Sequence, residues 1–107
     1  MMRHVSVFRV KPEYRKEETL EMLRRQLLEL PGKIPAITAC EIGVKPLEMP
    51  TESPDGHVQF YDLIQIITFP TPEDCAAYPA SRGHQEFLAE SSRYMEEVIG
   101  IDYMVTG

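Results

Sequence analysis

The sequence predicts a single α+β domain over residues 1–107, in which two helices cover one face of a four-stranded antiparallel sheet. Three observations lead to this prediction. A chain of 107 residues has the size of one domain with one core. Four short segments have the apolar pattern of strands, and two others have the three- and four-residue steps of helices. The longest apolar segment, residues 58–69, is apolar on both faces, so both of its faces need cover.

The first half of the chain predicts a strand, a helix and a second strand. Residues 3–10 form the first strand, which ends at Pro12 because proline cannot donate to a strand ladder. Val5 and Val7 share one face of this strand, and the other face carries His4, Ser6, Phe8 and Val10. Residues 14–30 form a helix with a leucine stripe, and the Pro31-Gly32 pair ends it. Residues 37–44 form the second strand.

The second half predicts a loop, a strand, an interrupted helix and a last strand. Residues 45–57 are polar and rich in proline, and loops of this length are often lids or mobile. After the strand at residues 58–69, Thr71 caps a helix that Pro79 interrupts and that resumes over residues 83–95. Residues 99–105 form the last strand. This order of elements is the ferredoxin-like arrangement β-α-β-β-α-β.

One face of the predicted sheet has no helices. By alternation we expect this face to carry Phe8, Val10 and part of the central strand. Packing it against a second sheet would remove on the order of 1,500 Å² from water, which is a standard interface. We therefore expect a two-fold symmetric homodimer whose sheets pack face to face.

The composition argues against several partners and cofactors. The net charge of −6 would repel nucleic acid and anionic membranes, and no apolar span is long enough to cross a bilayer. No signal peptide is recognisable, and Cys40 and Cys75 are expected to be free thiols, so we expect a cytoplasmic protein. Nucleotide-binding motifs and local metal-ligand spacings are absent, so we expect neither a cofactor nor a metal ion.

Five short segments occur in a characteristic order along the chain. They are Arg3-His4-Val5, Leu30 through Pro35, Tyr61-Asp62, Ala77-Tyr78 followed by Gly83 through Phe87, and Asp102-Tyr103. Together they closely resemble the stress-responsive A/B barrel domain (Dabb) family over nearly the whole chain. The resemblance implies a ferredoxin-like unit that dimerises through its sheets into a dimeric α+β barrel.

The resemblance also implies candidate site residues. One plant member of the family, olivetolic acid cyclase, closes a linear polyketide thioester by aldol condensation without a metal or organic cofactor. Its catalytic pair is a tyrosine and a histidine six residues later, and Tyr78 and His84 have that spacing here. His4 and Asp102 match two further residues of that enzyme. A His-Pro pair that is common after the tyrosine is missing here, so the polyketide substrate does not carry over.

The chemistry of these residues suits proton transfer. His84 can remove a proton next to a carbonyl group, and Tyr78 can donate a hydrogen bond to the enolate oxygen. We expect Asp102 to hold the far nitrogen of His84 and His4 to assist. The predicted function is a cofactor-independent enzyme, or a binder, for a small carbonyl or polyketide-like compound.

Structural interpretations of the same residues stay open. His84 could cap the second helical piece and Tyr78 could be a core aromatic. The protein would then be a non-catalytic dimeric domain that binds a small ligand or serves in stress tolerance. Asp62 is either a salt-bridge partner of Arg3 or Arg9, which we favour, or a pocket carboxylate.

Overall fold

The computed structural model describes residues 1–107 as one antiparallel sheet with its helices on one face. The strands are β1 (Met2–Val10), β2 (Ala39–Val44), β3 (Leu63–Phe69) and β4 (Met95–Met104), and the helices are α1 (Glu17–Lys33), α2 (Pro72–Ala77) and α3 (Arg82–Ser91). The spatial order of the strands is β2-β3-β1-β4, and every neighbouring pair is antiparallel. The predicted ferredoxin-like α+β fold is confirmed. None of the helices combines the length and the apolar character that crossing a membrane would require.

The core lies between the sheet and the helices. The leucine stripe of α1 packs there against the inward side chains of β3, and the buried members are Leu20, Leu23, Leu27, Leu30, Leu63, Ile67 and Phe69. Phe8 and Val10 also belong to this core, so the prediction that they lie on the helix-free face is wrong. Alternation shows which residues of a strand share a face, but it does not show which face the helices cover.

The helix-free face of the sheet is apolar at its centre. Val5 lies between Ile66 of β3 and Ile101 of β4, and Val7 has the equivalent position in the next row, between Ile64 and Ile99. Ile101 is 59% exposed. We call these six residues the open face, since no helix of the chain covers them. The prediction of a helix-free apolar face therefore holds, although with other residues of β1.

Several elements differ in length from the sequence prediction. Helix α1 continues past Pro31 to Lys33, because a proline in the last turn removes only one intrahelical bond and the Ile34 N–H still reaches the Leu30 carbonyl at 2.9 Å. Strand β3 starts at Leu63, and the residues before it belong to the long loop, where Glu52 and Gln59 form a short bridge. Strand β4 starts at Met95 after a 3-10 turn that shortens α3.

The turn between α2 and α3 places two of the candidate residues. Thr71 caps α2 as predicted, since its hydroxyl accepts from the Asp74 N–H at 3.1 Å. Pro79 lies in the 3-10 turn Tyr78–Ala80, which separates the two helices. Ser81 then caps α3 by accepting from the His84 N–H at 3.3 Å. His84 is therefore not the cap, and its ring is free for other contacts.

Candidate functional site

His4 and Asp102 face each other across β1 and β4. They are direct partners in the strand register, and His4 Nδ1 lies 2.5 Å from Asp102 Oδ1. A carboxylate only accepts hydrogen bonds, so Nδ1 of His4 carries the proton. The expectation that Asp102 holds His84 is wrong. The strand register places the Asp102 carboxylate opposite His4, and the Nδ1 of His84 forms its hydrogen bond with the Pro79 carbonyl instead.

Ser6 completes a chain of three side chains. Its Oγ lies 2.7 Å from His4 Nε2, on the same face of β1. In the tautomer that donates from Nδ1 to Asp102, Nε2 carries a lone pair, accepts the hydrogen bond, and the Ser6 hydroxyl donates it. The sequence analysis placed both residues on one strand face but assigned Ser6 no role. Their two-residue spacing on a strand was the signal that could have found this contact.

Tyr78 lies against both histidines. Its ring centroid is 5.2 Å from that of His4 and 4.7 Å from that of His84, and Phe69 packs at 5.5 Å. The ring is buried. Burial raises the pKa of Tyr78 to about 12, although the side chain of Gln65 opposes this rise. The phenol is therefore protonated at neutral pH and can donate a hydrogen bond.

His84 has a defined tautomer. Its Nδ1 lies 2.9 Å from the Pro79 carbonyl oxygen, which can only accept, so Nδ1 carries the proton. Burial lowers the pKa of His84; the bond to Pro79 opposes this shift, and the nearby His4 adds to it. The neutral ring therefore has a free lone pair on Nε2 at neutral pH. All four predicted residues (His4, Tyr78, His84 and Asp102) are thus brought together on the helix side of the sheet.

Two residues that the sequence analysis did not single out flank Ser6. Gln65 of β3 and Gly100 of β4 are its direct partners in the register. Gln65 is 1% exposed, and its Nε2 makes no hydrogen bond of good distance and angle. A Cβ on Gly100 would lie 3.3 Å from His4 Cε1, which is a tight contact, and 3.8 Å from Ser6 Oγ, so a glycine at this position lets β4 pass close to both groups.

Asp62 belongs to a different cluster. It is buried, and it accepts from the Val10 N–H at 2.8 Å and from Arg15 Nε at 3.1 Å. The predicted salt bridge exists, but naming Arg3 or Arg9 as its partner was wrong. Arg15 lies just beyond β1 and reaches back to it, whereas Arg9 extends towards Glu97.

The surroundings of the site hold two free thiols, Cys40 and Cys75. Burial raises the pKa of both, and the Asp102 carboxylate adds to the rise at Cys75. No three His, Cys, Asp or Glu side chains converge in an arrangement that could hold a metal ion. None of the three surface cavities of the protein is lined by His4, Tyr78, His84 or Asp102.

Comparison with solved structures finds the same fold in proteins from plants and bacteria. The protein At3g17210 from Arabidopsis thaliana is 26% identical, with a TM-score of 0.82 over 100% of this chain and 97% of that one. A hydroxynitrile lyase from Passiflora edulis is 18% identical, with a TM-score of 0.76 over 98% and 93%. A dimeric ferredoxin-like protein of unknown function from Thermobifida fusca is 18% identical, with a TM-score of 0.75 over 97% and 90%.

No curated protein sequence matches the chain significantly. The model of one protein family, described as the stress responsive A/B barrel domain, matches residues 2–105. This match spans almost the whole chain and includes every strand and helix described above. The chain therefore belongs to the stress-responsive A/B barrel domain (Dabb) family.

Proposed function

We propose that this protein is a cofactor-independent enzyme for a small carbonyl or polyketide-like compound, with His84 as general base and Tyr78 as hydrogen-bond donor. One observation carries the proposal. The ring centroids of His84 and Tyr78 are 4.7 Å apart, and at neutral pH the imidazole is in the form that accepts a proton while the phenol is in the form that donates a hydrogen bond. The bond to Pro79 leaves His84 Nε2 free to accept a proton. The raised pKa of Tyr78, about 12, keeps its hydroxyl protonated.

The proposed reaction is a proton abstraction. His84 Nε2 takes the proton from the carbon next to the carbonyl, and the negative charge that develops on the oxygen accepts a hydrogen bond from Tyr78. The proton can then return from His84 to the product. General base catalysis of this kind contributes about 10²–10⁴-fold, which suits a substrate whose proton is already acidic. His4, fixed by Asp102, assists by packing against the phenol ring.

The family comparison is compatible with an enzyme. The hydroxynitrile lyase from Passiflora edulis has this fold, so the fold accommodates a catalytic site. At 18% identity the likeness extends to the fold alone, and the assignment of a reaction rests on the residues of this chain.

Deuterium exchange tests the proposed reaction. Phenylacetone is incubated with the protein in D₂O, and loss of the proton signal next to the carbonyl is followed by NMR. We expect exchange to be faster with protein than without, and to fall by about 10²-fold in both His84→Gln and Tyr78→Phe. The matched control is His57→Gln, which changes an exposed histidine of the long loop and should exchange like the wild type. Equal exchange rates for wild type and His84→Gln would contradict the proposal.

We also infer that the protein is a homodimer formed through the open face. Val5, Ile66 and Ile101 form an apolar row there, in which Ile101 is 59% exposed, and the protein of the same fold from Thermobifida fusca is dimeric. Sedimentation analysis should show a dimer that Ile101→Glu dissociates. Leu88→Glu, which changes an exposed apolar residue of α3, should leave the dimer intact. A monomeric wild type at micromolar concentration would refute the inference. A cytoplasmic location fits the two free thiols.

The second candidate is a non-catalytic dimeric domain that binds a small apolar ligand, with a role in stress tolerance. One observation favours it: a cavity of about 380 Å³ lies beside the open face, lined by Val7, Ile64, Met49 and Phe60 among others. A second copy on the open face would cover this cavity. In the same NMR samples, saturation transfer to phenylacetone without any exchange, unchanged in His84→Gln, would favour this candidate.

A further inference from the structure

We propose that Ser6, His4 and Asp102 form a nucleophilic triad, so that Ser6 accepts an acyl group from a small ester or thioester. The proposed nucleophile, Ser6, is hydrogen-bonded to its base, since Ser6 Oγ lies 2.7 Å from His4 Nε2. The base, His4, is hydrogen-bonded to the Asp102 carboxylate that orients it, since His4 Nδ1 lies 2.5 Å from Asp102 Oδ1. This arrangement of roles defines such triads irrespective of their order in the sequence.

The strand register fixes this geometry. His4 and Ser6 lie two residues apart on β1 and so project to the same side of the sheet. Asp102 is the direct cross-strand partner of His4 on β4. The carboxylate holds the proton on Nδ1, which leaves the Nε2 lone pair directed at the serine hydroxyl. A histidine in the other tautomer could not accept that proton.

Gln65 supplies a donor for the oxyanion. Its side chain is 1% exposed, it lies near the Tyr78 phenol whose pKa it lowers, and its Nε2 makes no hydrogen bond of good distance and angle, although a buried amide of this kind is normally paired. Gln65 is the direct partner of Ser6 on β3, so its amide lies on the same side of the sheet as the nucleophile. A substrate oxygen held at Ser6 would give the Gln65 amide an acceptor in addition to the nearby Tyr78 phenol.

Gly100 leaves an approach to the nucleophile. It is the partner of Ser6 on β4, and a Cβ at this position would lie 3.8 Å from Ser6 Oγ and 3.9 Å from His4 Nε2. Strand β4 is exposed over most of its length, and the side chain of Asp102 is 48% exposed. Ser6 itself is 6% exposed, and we place the entry of a small acyl group at the β4 edge because this is the least covered strand beside it.

The proposed reaction is a hydrolysis in two steps. The Oγ of Ser6 bonds to the acyl carbon while its proton passes to His4 Nε2, and the carbonyl oxygen takes the negative charge beside Gln65. Collapse breaks the bond to the leaving alcohol or thiol, which takes the proton from His4. Water then attacks the acyl-serine with His4 as base, and the acid is released. Ester and water give acid and alcohol, and no other reactant is needed.

Covalent labelling tests this triad independently of the proton transfer proposed for His84. Diisopropyl fluorophosphate is added to the full-length protein, and the adduct is measured by intact mass. We expect one adduct per chain, formed when Ser6 Oγ displaces fluoride from phosphorus, and its loss in Ser6→Ala. We expect His4→Ala to slow labelling by about 10²-fold or more, and Gln65→Met to slow it by about 10²-fold.

The matched control is Ser91→Ala. Ser91 is also buried, but its Oγ donates to the Phe87 carbonyl at 2.7 Å and has no base beside it, so this variant should be labelled like the wild type. Peptide mapping of the wild-type adduct locates the modified residue without any variant, which covers the case in which Ser6→Ala does not fold. An unlabelled wild type, or an adduct on a residue other than Ser6, would overturn the proposal.

Discussion

Asp62 and Asp102 are both paired with a basic side chain, but their surroundings are opposite. Asp62 is 2% exposed and receives hydrogen bonds from Arg15 and from the Val10 N–H. The side chain of Asp102 is 48% exposed, and its bonded partner is the imidazole of His4. Asp62 is a buried carboxylate whose hydrogen-bond donors all come from the protein itself, and such a carboxylate stabilises the fold. Asp102 orients one histidine at an open edge, and this is the carboxylate to which we assign a role in the proposed chemistry.

The largest expected effect is the replacement of Asp62. Asp62→Ala leaves the buried Val10 N–H and the guanidinium of Arg15 without their acceptor, so we expect a loss of about 3–5 kcal/mol in the free energy of unfolding. Asp102→Ala removes a partly exposed pair and should cost less than about 1 kcal/mol. Urea denaturation of both variants measures the difference. Equal costs would remove the contrast between the two carboxylates.

A smaller effect is expected at the partner of Asp62. Arg15→Met removes the charge-assisted bonds from Nε and also the bond from its Nη2 to the Val10 carbonyl at 3.0 Å. We expect a loss of about 1.5–3 kcal/mol. Arg24→Met is the control, since Arg24 forms an exposed pair with Glu21 at 3.2 Å and should change stability by less than about 0.5 kcal/mol. The contrast fails if the two arginine variants unfold at the same urea concentration.

At the Asp102 side, crowding should affect reactivity more than stability. Gly100→Ala places a methyl group 3.3 Å from His4 Cε1, so the imidazole must move by a few tenths of an ångström. The lower entropy of the unfolded chain offsets this crowding, and we expect a net change below about 1 kcal/mol. Labelling by diisopropyl fluorophosphate should slow by about tenfold, because the base is displaced. Unchanged labelling would show that the space beside Gly100 is not the approach to Ser6.

The smallest expected effect is the pH dependence due to His84. Its pKa is lowered in the folded protein, mainly by burial, so the unfolded chain binds its proton more readily. Above about pH 6.5 the ring is neutral in both states, and the free energy of unfolding should decrease as the pH falls below that value. Thermal melting from pH 7.5 to 5 should show a shallower decrease for His84→Gln than for wild type.

The sequence predicted the order of elements and the residues that meet at the site, because both depend on local pattern or on the family resemblance. It could not predict contacts that depend on strand register. Asp102 bonds to His4 and not to His84 because the two are opposite each other on β1 and β4. Arg15 was also missed as the partner of Asp62. This contact joins two loops at the ends of β1 and β3, and these loops are brought together only by the pairing of the two strands.

Face assignment was the other limit. The alternation of β1 correctly grouped His4, Ser6, Phe8 and Val10, yet it gave no indication of whether helices cover that group. The groups of β3 have the same ambiguity, because both of its faces are apolar. Only the packing of α1 and α3 decides it, and that packing makes Phe8 core and leaves Val5 on the open face.

His4 and Ser6 lie on a central strand of the sheet, whereas Asp102 lies on an edge strand. This difference has a consequence for local unfolding. Strand β1 is hydrogen-bonded on both sides, so His4 and Ser6 should keep their positions until the whole sheet melts. Strand β4 is at the edge, and fraying from its end near Met104 would carry Asp102 away while the imidazole and the hydroxyl stay in place. Loss of this end of β4 would therefore leave His4 without the carboxylate that orients it.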